Sequence, residues 1–465
     1  MLSIFSGIKS LFGFGTKGTN TNSILTFEKV ANIFGTHCAE SARMLNALSV
    51  WNTTFQVSKT QMMKIICHEA AKLTLTDLDI SLNAQSPASG TIQAALFDLK
   101  NKLTRVLEVG IALGGLVIKP TLNGFDLIAP TNFIPTEFNS NGDLCGAIFI
   151  TTLYKGGHIY KRFEYHRFVN NVYMIDNRAY MAKNEYELGS PCALKGIPEW
   201  ADISEHTEID NLTKPLFSYF RMPGYNNIDE TSYSGISLCS AAMEYLSAYD
   251  NAFDGFKADL ETTRKIIFVN NAALINVDKV NSRQGNFTKN PLPNLIVGLS
   301  NTDQIKEFNP SCNVDEFKTA LQMLLNMIAT SCGFTSGYFS FDNARKAVTA
   351  TQIESEDQIT VATVIAIRNN LKDAVISAIN SYIDLLALYN IATLDDVNVT
   401  FYTRDISVTP EADRAHTLEL VKLGYYPLEL YLKEYEGITE GDLDKYKIGL
   451  DSSQNKTANS ESQLE

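Results

Sequence analysis

An α+β fold is predicted by three observations. The first part of the chain carries helical periodicity. It then switches to short alternating runs broken by Asn-Gly and Gly-Gly turns. Long helical stripes follow, most of them after Gly235. At 465 residues, with 45% apolar and 20% charged residues, the chain is long enough for several packed units and has an ordinary globular balance.

Residues from about 25 to 114 read mostly as helices. One is expected around Glu40–Trp51 and a second around Ser58–Leu73. A third, Thr91–Ala112, carries Ala95, Leu99, Leu103 and Leu107 at four-residue spacing, and Gly114-Gly115 stops it. The runs LVIKP and FDLIAP then flank Asn123-Gly124, a strong hairpin signal. Asn141-Gly142, Gly156-Gly157, Asn170-Asn171 and Asp176-Asn177 punctuate further β-type runs up to about Lys183. HIYKRFEYHRF, from His158, alternates as a half-exposed strand does. The expectation is an antiparallel meander packed on the preceding helices.

A connector with Pro191, Pro198, Pro215 and Pro223 leads to a helix in which Cys239, Ala242, Leu246, Tyr249, Phe253, Phe256 and Leu260 alternate at spacings of three and four. That narrow stripe is the seam of a helix packed along another helix. A second helix repeats the rhythm with Val314, Phe317, Leu321, Leu324 and Ile328, and Gly333 stops it. Between them the chain changes character. AALINV, NLIVGL, Gly285, Pro291 and Pro293 suggest a small β-containing module at the tip of a helical hairpin. The stretch GYFSFDNARKAVTATQIESEDQ, Gly337–Gln358, joins the second seam helix to a long helix expected from about Thr349 to Tyr389. VNVTFYTRDISV, from Val397, reads as a strand. Helices are expected at Ala412–Leu423 and Pro427–Tyr435, and the polar tail from Asp451 is expected to be disordered.

Charge and motifs exclude several functions. Net charge is −13, so broad gripping of nucleic acid is not expected, although an acidic surface can surround DNA and let it slide. Seven scattered cysteines without a CxxC read as free thiols in a reducing compartment. The start, MLSIFSGIKSLFGFGTKG, lacks the basic region and cleavage site of a signal peptide. Its Leu2, Phe5, Ile8, Leu11 and Phe12 share one helix face, which suits docking on a partner or a membrane surface. No apolar run is long enough to span a bilayer.

There is no GxxxxGK[ST], HExxH or GxSxG. The six histidines are scattered. His158 and His166 lie on one strand but too far apart to share an ion, and Cys67-His68-Glu69 are helix neighbours that point different ways. Glu354, Glu356 and Asp357 are either metal-binding acids of a nuclease or, more simply, acids complementing a helix dipole. No catalytic residue and no cofactor is expected.

Two stretches carry a family look. They are FSYFRMPGYNNIDETSYSGISLCSAAMEYLSAYDNAFDGFKADLETTRKIIFV, Phe217–Val269, and GFTSGYFSFDNARKAVTATQIESED, Gly333–Asp357. With the order of elements around them, from about residue 35 to 435, the chain resembles the portal proteins of tailed bacteriophages, in particular the group in phages of Gram-positive bacteria. The resemblance implies a ring, usually of twelve subunits, at one capsid vertex, assembled in the bacterial cytoplasm and carried in the virion. Double-stranded DNA is packed and ejected through its channel. The terminase, head-completion or adaptor proteins, and the capsid and scaffold proteins are the implied partners, with no membrane anchor.

Carried onto this chain, the N-terminal arm is 1–34 and the wing 35–234. The stem is 235–268 with 314–332, and the clip 269–313. The tunnel loop is 333–348, the long wing helix and returning strand 349–409, the crown 410–450, and the tail 451–465. In the tunnel loop, Arg345 and Lys346 either touch phosphates or keep the loop soluble. Tyr338, Phe339 and Phe341 are expected to pack, since duplex DNA offers no free base faces. On the first stem helix Glu244, Asp250, Asp254, Asp259 and Glu261, five acids against Lys257 and Arg264, leave −3 per subunit. They either face the channel and repel the phosphate backbone or merely solvate the helix. Two alternatives stay open: another oligomeric head or connector protein of the virion, and the metal-dependent nuclease.

Overall fold

A computed structural model describes residues 25–76, 78–83, 89–263, 266–270, 295–298, 306–308, 311–340, 358–391, 398–402 and 410–437. It is a mixed helix and sheet protein, an α+β arrangement. The described chain divides into two compact units: the first runs through the strand at 398–402, and the second holds the two helices after it.

The first unit opens with α1 (Phe27–Ile33), α2 (Ala42–Val57), α3 (Met62–Thr74) and α4 (Ser89–Leu113). Side chains cap the first two: Thr26 Oγ1 accepts from Lys29 N at 3.3 Å, and Ser41 Oγ from Met44 N at 3.4 Å. The four-residue stripe on α4 is the centre of the core, with Leu99, Leu103, Leu107 and Ile111 fully buried. Between α3 and α4, where only helix was expected, lies β1 (Asp79–Asn83). Its partner is β14 (Asn398–Tyr402), more than three hundred residues later, pairing antiparallel with Asp79 opposite Tyr402. A five-residue strand whose partner is so distant leaves no local hairpin signal.

The Asn123-Gly124 hairpin forms as β2 (Gly115–Thr121) and β3 (Gly124–Ile128). The meander is β4 (Phe133–Phe138), β5 (Leu144–Lys155), β6 (His158–Val169) and β7 (Val172–Ala182), each strand antiparallel to the next. The proline-marked connector is more ordered than its composition suggested. It adds β8 (Ser190–Cys192) and β9 (His206–Ile209) to β7, two single turns of 3₁₀ helix, and β10 (Ser218–Arg221), which pairs with β2.

After the connector come α5 (Met243–Thr262), β11 (Ile266–Asn270), β12 (Leu295–Gly298), β13 (Lys306–Phe308) and α6 (Val314–Ser331). The three strands form one small sheet in the order β12-β11-β13, with β12 parallel and β13 antiparallel to β11. The expected β-containing module between the seam helices is therefore present. The long helix is α7 (Gln358–Leu388), 31 residues, which buries Val364, Ile367, Leu371, Val375, Ile379, Tyr382 and Leu386. Residues 349–357, expected to begin it, lie outside the described residues.

The second unit contains α8 (Pro410–Lys422) and α9 (Leu428–Tyr435). Their pairing rests on Arg414 of α8, which reaches Glu436 at 2.5 Å and Tyr431 Oη at 3.3 Å, and on Thr417 Oγ1, 3.2 Å from Tyr435 Oη; within α9, Tyr431 stacks on Tyr435 with centroids 5.2 Å apart.

Candidate functional site: the helical hairpin and the aromatic turn at its base

The helices α5 and α6 pack along each other. Near the base, Leu246 and Tyr249 of α5 and Leu321, Leu325 and Ile328 of α6 are buried in the main core. Phe256 and Phe317 meet with centroids 5.4 Å apart, and Leu324 is half-buried. The seam expected from spacing is thus occupied over part of its length, with Leu325 added beside Leu324. Phe253 and Leu260 differ from expectation: they are 40% and 46% exposed. They continue the stripe of Leu246 and Tyr249 toward the tip, beyond the stretch that the core covers. On α6, Met323 and Met327 are 60% and 40% exposed. At 100° per residue they lie on the side away from Leu321, Leu325 and Ile328. They line an open groove of about 850 Å³ with Tyr245 and Lys318.

The acids of α5 do not form a free row of charge. Asp250 turns to the segment before α3: one oxygen accepts from Ser58 Oγ at 2.9 Å and Lys59 N at 3.3 Å, the other from Thr60 N at 3.2 Å and Thr60 Oγ1 at 2.5 Å. It acts as a capping residue supplied from another helix, satisfying amides that precede α3. Asp254 pairs with Lys59. Asp259 accepts from Asn313 N at 3.4 Å, at the start of α6. Of the five acids expected to face a channel, these three are engaged within the chain, and Glu244 and Glu261 are exposed.

At the foot of α6, Gly333 ends the helix at φ +75°. Phe334, Tyr338 and Phe339 then close into a three-ring cluster with centroids 5.0–5.2 Å apart. Tyr338 Oη donates to Glu69 Oε1 of α3 at 2.9 Å. Thr335 N donates to Thr360 Oγ1 at 3.0 Å, and Thr363 Oγ1 to Gly333 O at 2.8 Å, so α7 holds the turn from the other side. Tyr338 and Phe339 pack against the core. Phe341, Arg345, Lys346, Glu354, Glu356 and Asp357 lie outside the described residues.

A second polar cluster sits in the sheet. Glu164 accepts from Lys119 Nζ at 2.7 Å, Arg162 Nη2 at 3.0 Å and His166 Nε2 at 2.7 Å. Burial alone would raise the Glu164 carboxyl, but its cationic neighbours and the His166 bond outweigh burial and hold it well below the usual range. Burial lowers His166, which sits as neutral imidazole: Nε2 donates to Glu164, and Nδ1 accepts from Tyr173 Oη at 2.7 Å. Tyr173 Oη in turn accepts from Leu216 N at 3.0 Å. The cluster's groups bond one another, which is what a buried charge requires. His158, on the same strand, is exposed, so the two histidines do not meet. Cys67 is buried while its neighbour His68 reaches Glu108 at 2.9 Å on the surface, consistent with neighbours facing opposite ways. Among the described residues, no group of three or more His, Cys, Asp or Glu side chains is arranged to hold a metal ion. No helix among them is long and apolar enough to cross a membrane.

The region is defined by a helical hairpin, with a three-stranded module between its helices and an aromatic turn at its foot. The chain matches no protein-family model and no curated protein.

Proposed function

We propose that this chain is the subunit of a portal-type ring, the channel at one capsid vertex through which double-stranded DNA is packed and ejected. The observation that carries the reading is the order of elements on the α+β body: seam helix, small sheet, seam helix, aromatic turn, long buried helix. In that reading α5 and α6 are the stem, the β11–β13 sheet belongs to the clip, and the turn after Gly333 starts the tunnel loop. The helices α8 and α9 belong to the crown. The clip receives the terminase during packaging and the head-completion or adaptor proteins afterwards. Capsid and scaffold proteins surround the ring in the virion, which is assembled in the host cytoplasm.

Two apolar patches support self-association. Phe253 and Leu260 on α5 and Met323 and Met327 on α6 are exposed on different faces of one hairpin. When patches on two distinct faces meet between copies the contact is heterologous, and a heterologous contact closes into a ring if its rotation allows. The channel acids of this reading reduce to Glu244 and Glu261, with Arg345 and Lys346 as the loop's phosphate contacts.

Purified full-length protein should form rings in negative stain, with a central hole of duplex width. Replacing Phe253 and Leu260 together by serine should leave the circular dichroism spectrum unchanged and abolish the rings. A monomer at every salt and protein concentration, with no ring in the virion, would overturn the proposal.

A further inference from the structure

Three cysteines far apart in sequence come together where the hairpin meets the body. Cys67 is in α3, Cys239 immediately precedes the turn into α5, and Cys332 is the C-cap residue that follows α6. Their sulfurs touch in series: Cys332 Sγ lies 3.6 Å from Cys239 Sγ, which lies 3.9 Å from Cys67 Sγ. All three are at most 1% exposed. The chain's other cysteines lack this arrangement. Cys38 is buried, and Cys145, Cys192 and Cys312 are partly exposed.

We propose that this cluster is a redox-sensitive site in which Cys239 forms a disulfide with Cys332, and with Cys67 as its alternative partner. The inference does not rest on the portal reading. A Cys239–Cys332 bond requires the sulfurs to close by about 1.5 Å, a shift within reach of side-chain rotation. The bond would join the two feet of the hairpin and enclose α5, the small sheet and α6 in one covalent loop. A Cys67–Cys239 bond would instead staple the foot of α5 to the body. Cys239 can make only one of these bonds at a time, so the site has two exclusive oxidised forms, which exchange when the third thiol attacks the disulfide.

The chemistry needs an oxidant small enough to enter, and a peroxide suffices. One thiol loses its proton and attacks a peroxide oxygen. The O–O bond breaks, leaving a sulfenic acid and water. The second thiol then attacks that sulfur, the S–S bond forms, and the sulfenic oxygen leaves as a second water. Two thiols are oxidised by two electrons, and one peroxide is reduced to two waters. The packed state slows the first step. The Cys332 bond favours the Cys239 thiolate, but the Cys67 contact and burial outweigh it and push the Cys239 thiol well above its ordinary value. Contact with Cys239 and burial do the same to Cys332.

The test treats the full-length protein with hydrogen peroxide at neutral pH, blocks remaining thiols under denaturing conditions, and maps non-reduced peptides by mass spectrometry. A Cys239–Cys332 peptide should be the main intramolecular disulfide, lost on reduction, while Cys38 stays a thiol. Cys332→Ala should redirect the bond to Cys67–Cys239, and Cys239→Ala should lose both. Circular dichroism checks that each variant folds, and the wild-type map decides by itself if one does not. The proposal is overturned if Cys67, Cys239 and Cys332 remain thiols, or reach only sulfinic and sulfonic acids, after Cys145 and Cys192 have reacted.

Discussion

Asp250 shows how a residue's role depends on what it meets. In sequence it is one acid among five on a helix. In the fold its carboxylate accepts from Ser58, Lys59 and Thr60 and fastens α5 to the segment before α3. Asp250→Ala should cost about 1–2 kcal/mol in urea unfolding, the range for losing a cap. Asp254→Ala, which removes an exposed pair with Lys59, should cost much less. The Glu164 cluster makes a pH prediction. His166 has a folded value below its ordinary 6.5, so its contribution is complete above about pH 6.5 and is lost as pH falls below that. Glu164, also depressed, contributes above its ordinary 4.5 and loses that contribution at lower pH. Stability should therefore fall in two stages on acidification, measured as urea midpoints from pH 7.5 to pH 3.5, and His166→Gln should remove the first. Lys119→Met leaves a buried carboxylate with one fewer cation and should cost about 3 kcal/mol at neutral pH.

Among elements, the helices with sustained periodicity were the most legible. The stripe on α4 predicted its buried face residue by residue, and the seam rhythm predicted which positions of α5 and α6 could meet. Periodicity did not reveal where the seam stops being covered, since Phe253 and Leu246 occupy the same stripe and differ only in what lies over them. The connector was misjudged because β8 and β10 are only 3 and 4 residues long, too short for alternation to show. Close backbone approach was equally hidden. A Cβ on Gly235 would lie 2.1 Å from Gly114 O, and one on Gly114, at φ +90°, would lie 2.3 Å from Gly235 O. Two glycines more than a hundred residues apart thus let the start of β2 and the lead into α5 touch. Gly235→Ala should force the backbones apart and lower the thermal midpoint by more than an alanine at Gly196, where a Cβ meets nothing within 4 Å.

For the whole molecule, net charge constrains any contact with DNA. Under the proposed function, the ring should hold duplex DNA weakly at physiological salt, and an Arg345→Ala, Lys346→Ala variant should still assemble. Retained rings with slower packaging in a terminase-driven assay would support a loop that touches DNA in passing. Loss of rings would instead place those residues in assembly.

By itself the sequence determined the α+β class, the long helices, the hairpin at Asn123-Gly124, the meander and the small β module between two seam helices. These follow from periodicity and turn chemistry, which act over a few residues. Only the tertiary structure decided that β1 pairs with β14, that Asp250 caps a distant segment, that Gly114 and Gly235 touch, and that Cys67, Cys239 and Cys332 share one pocket of the core. Each of those contacts joins segments more than ninety residues apart, and no local pattern encodes which distant segment will arrive.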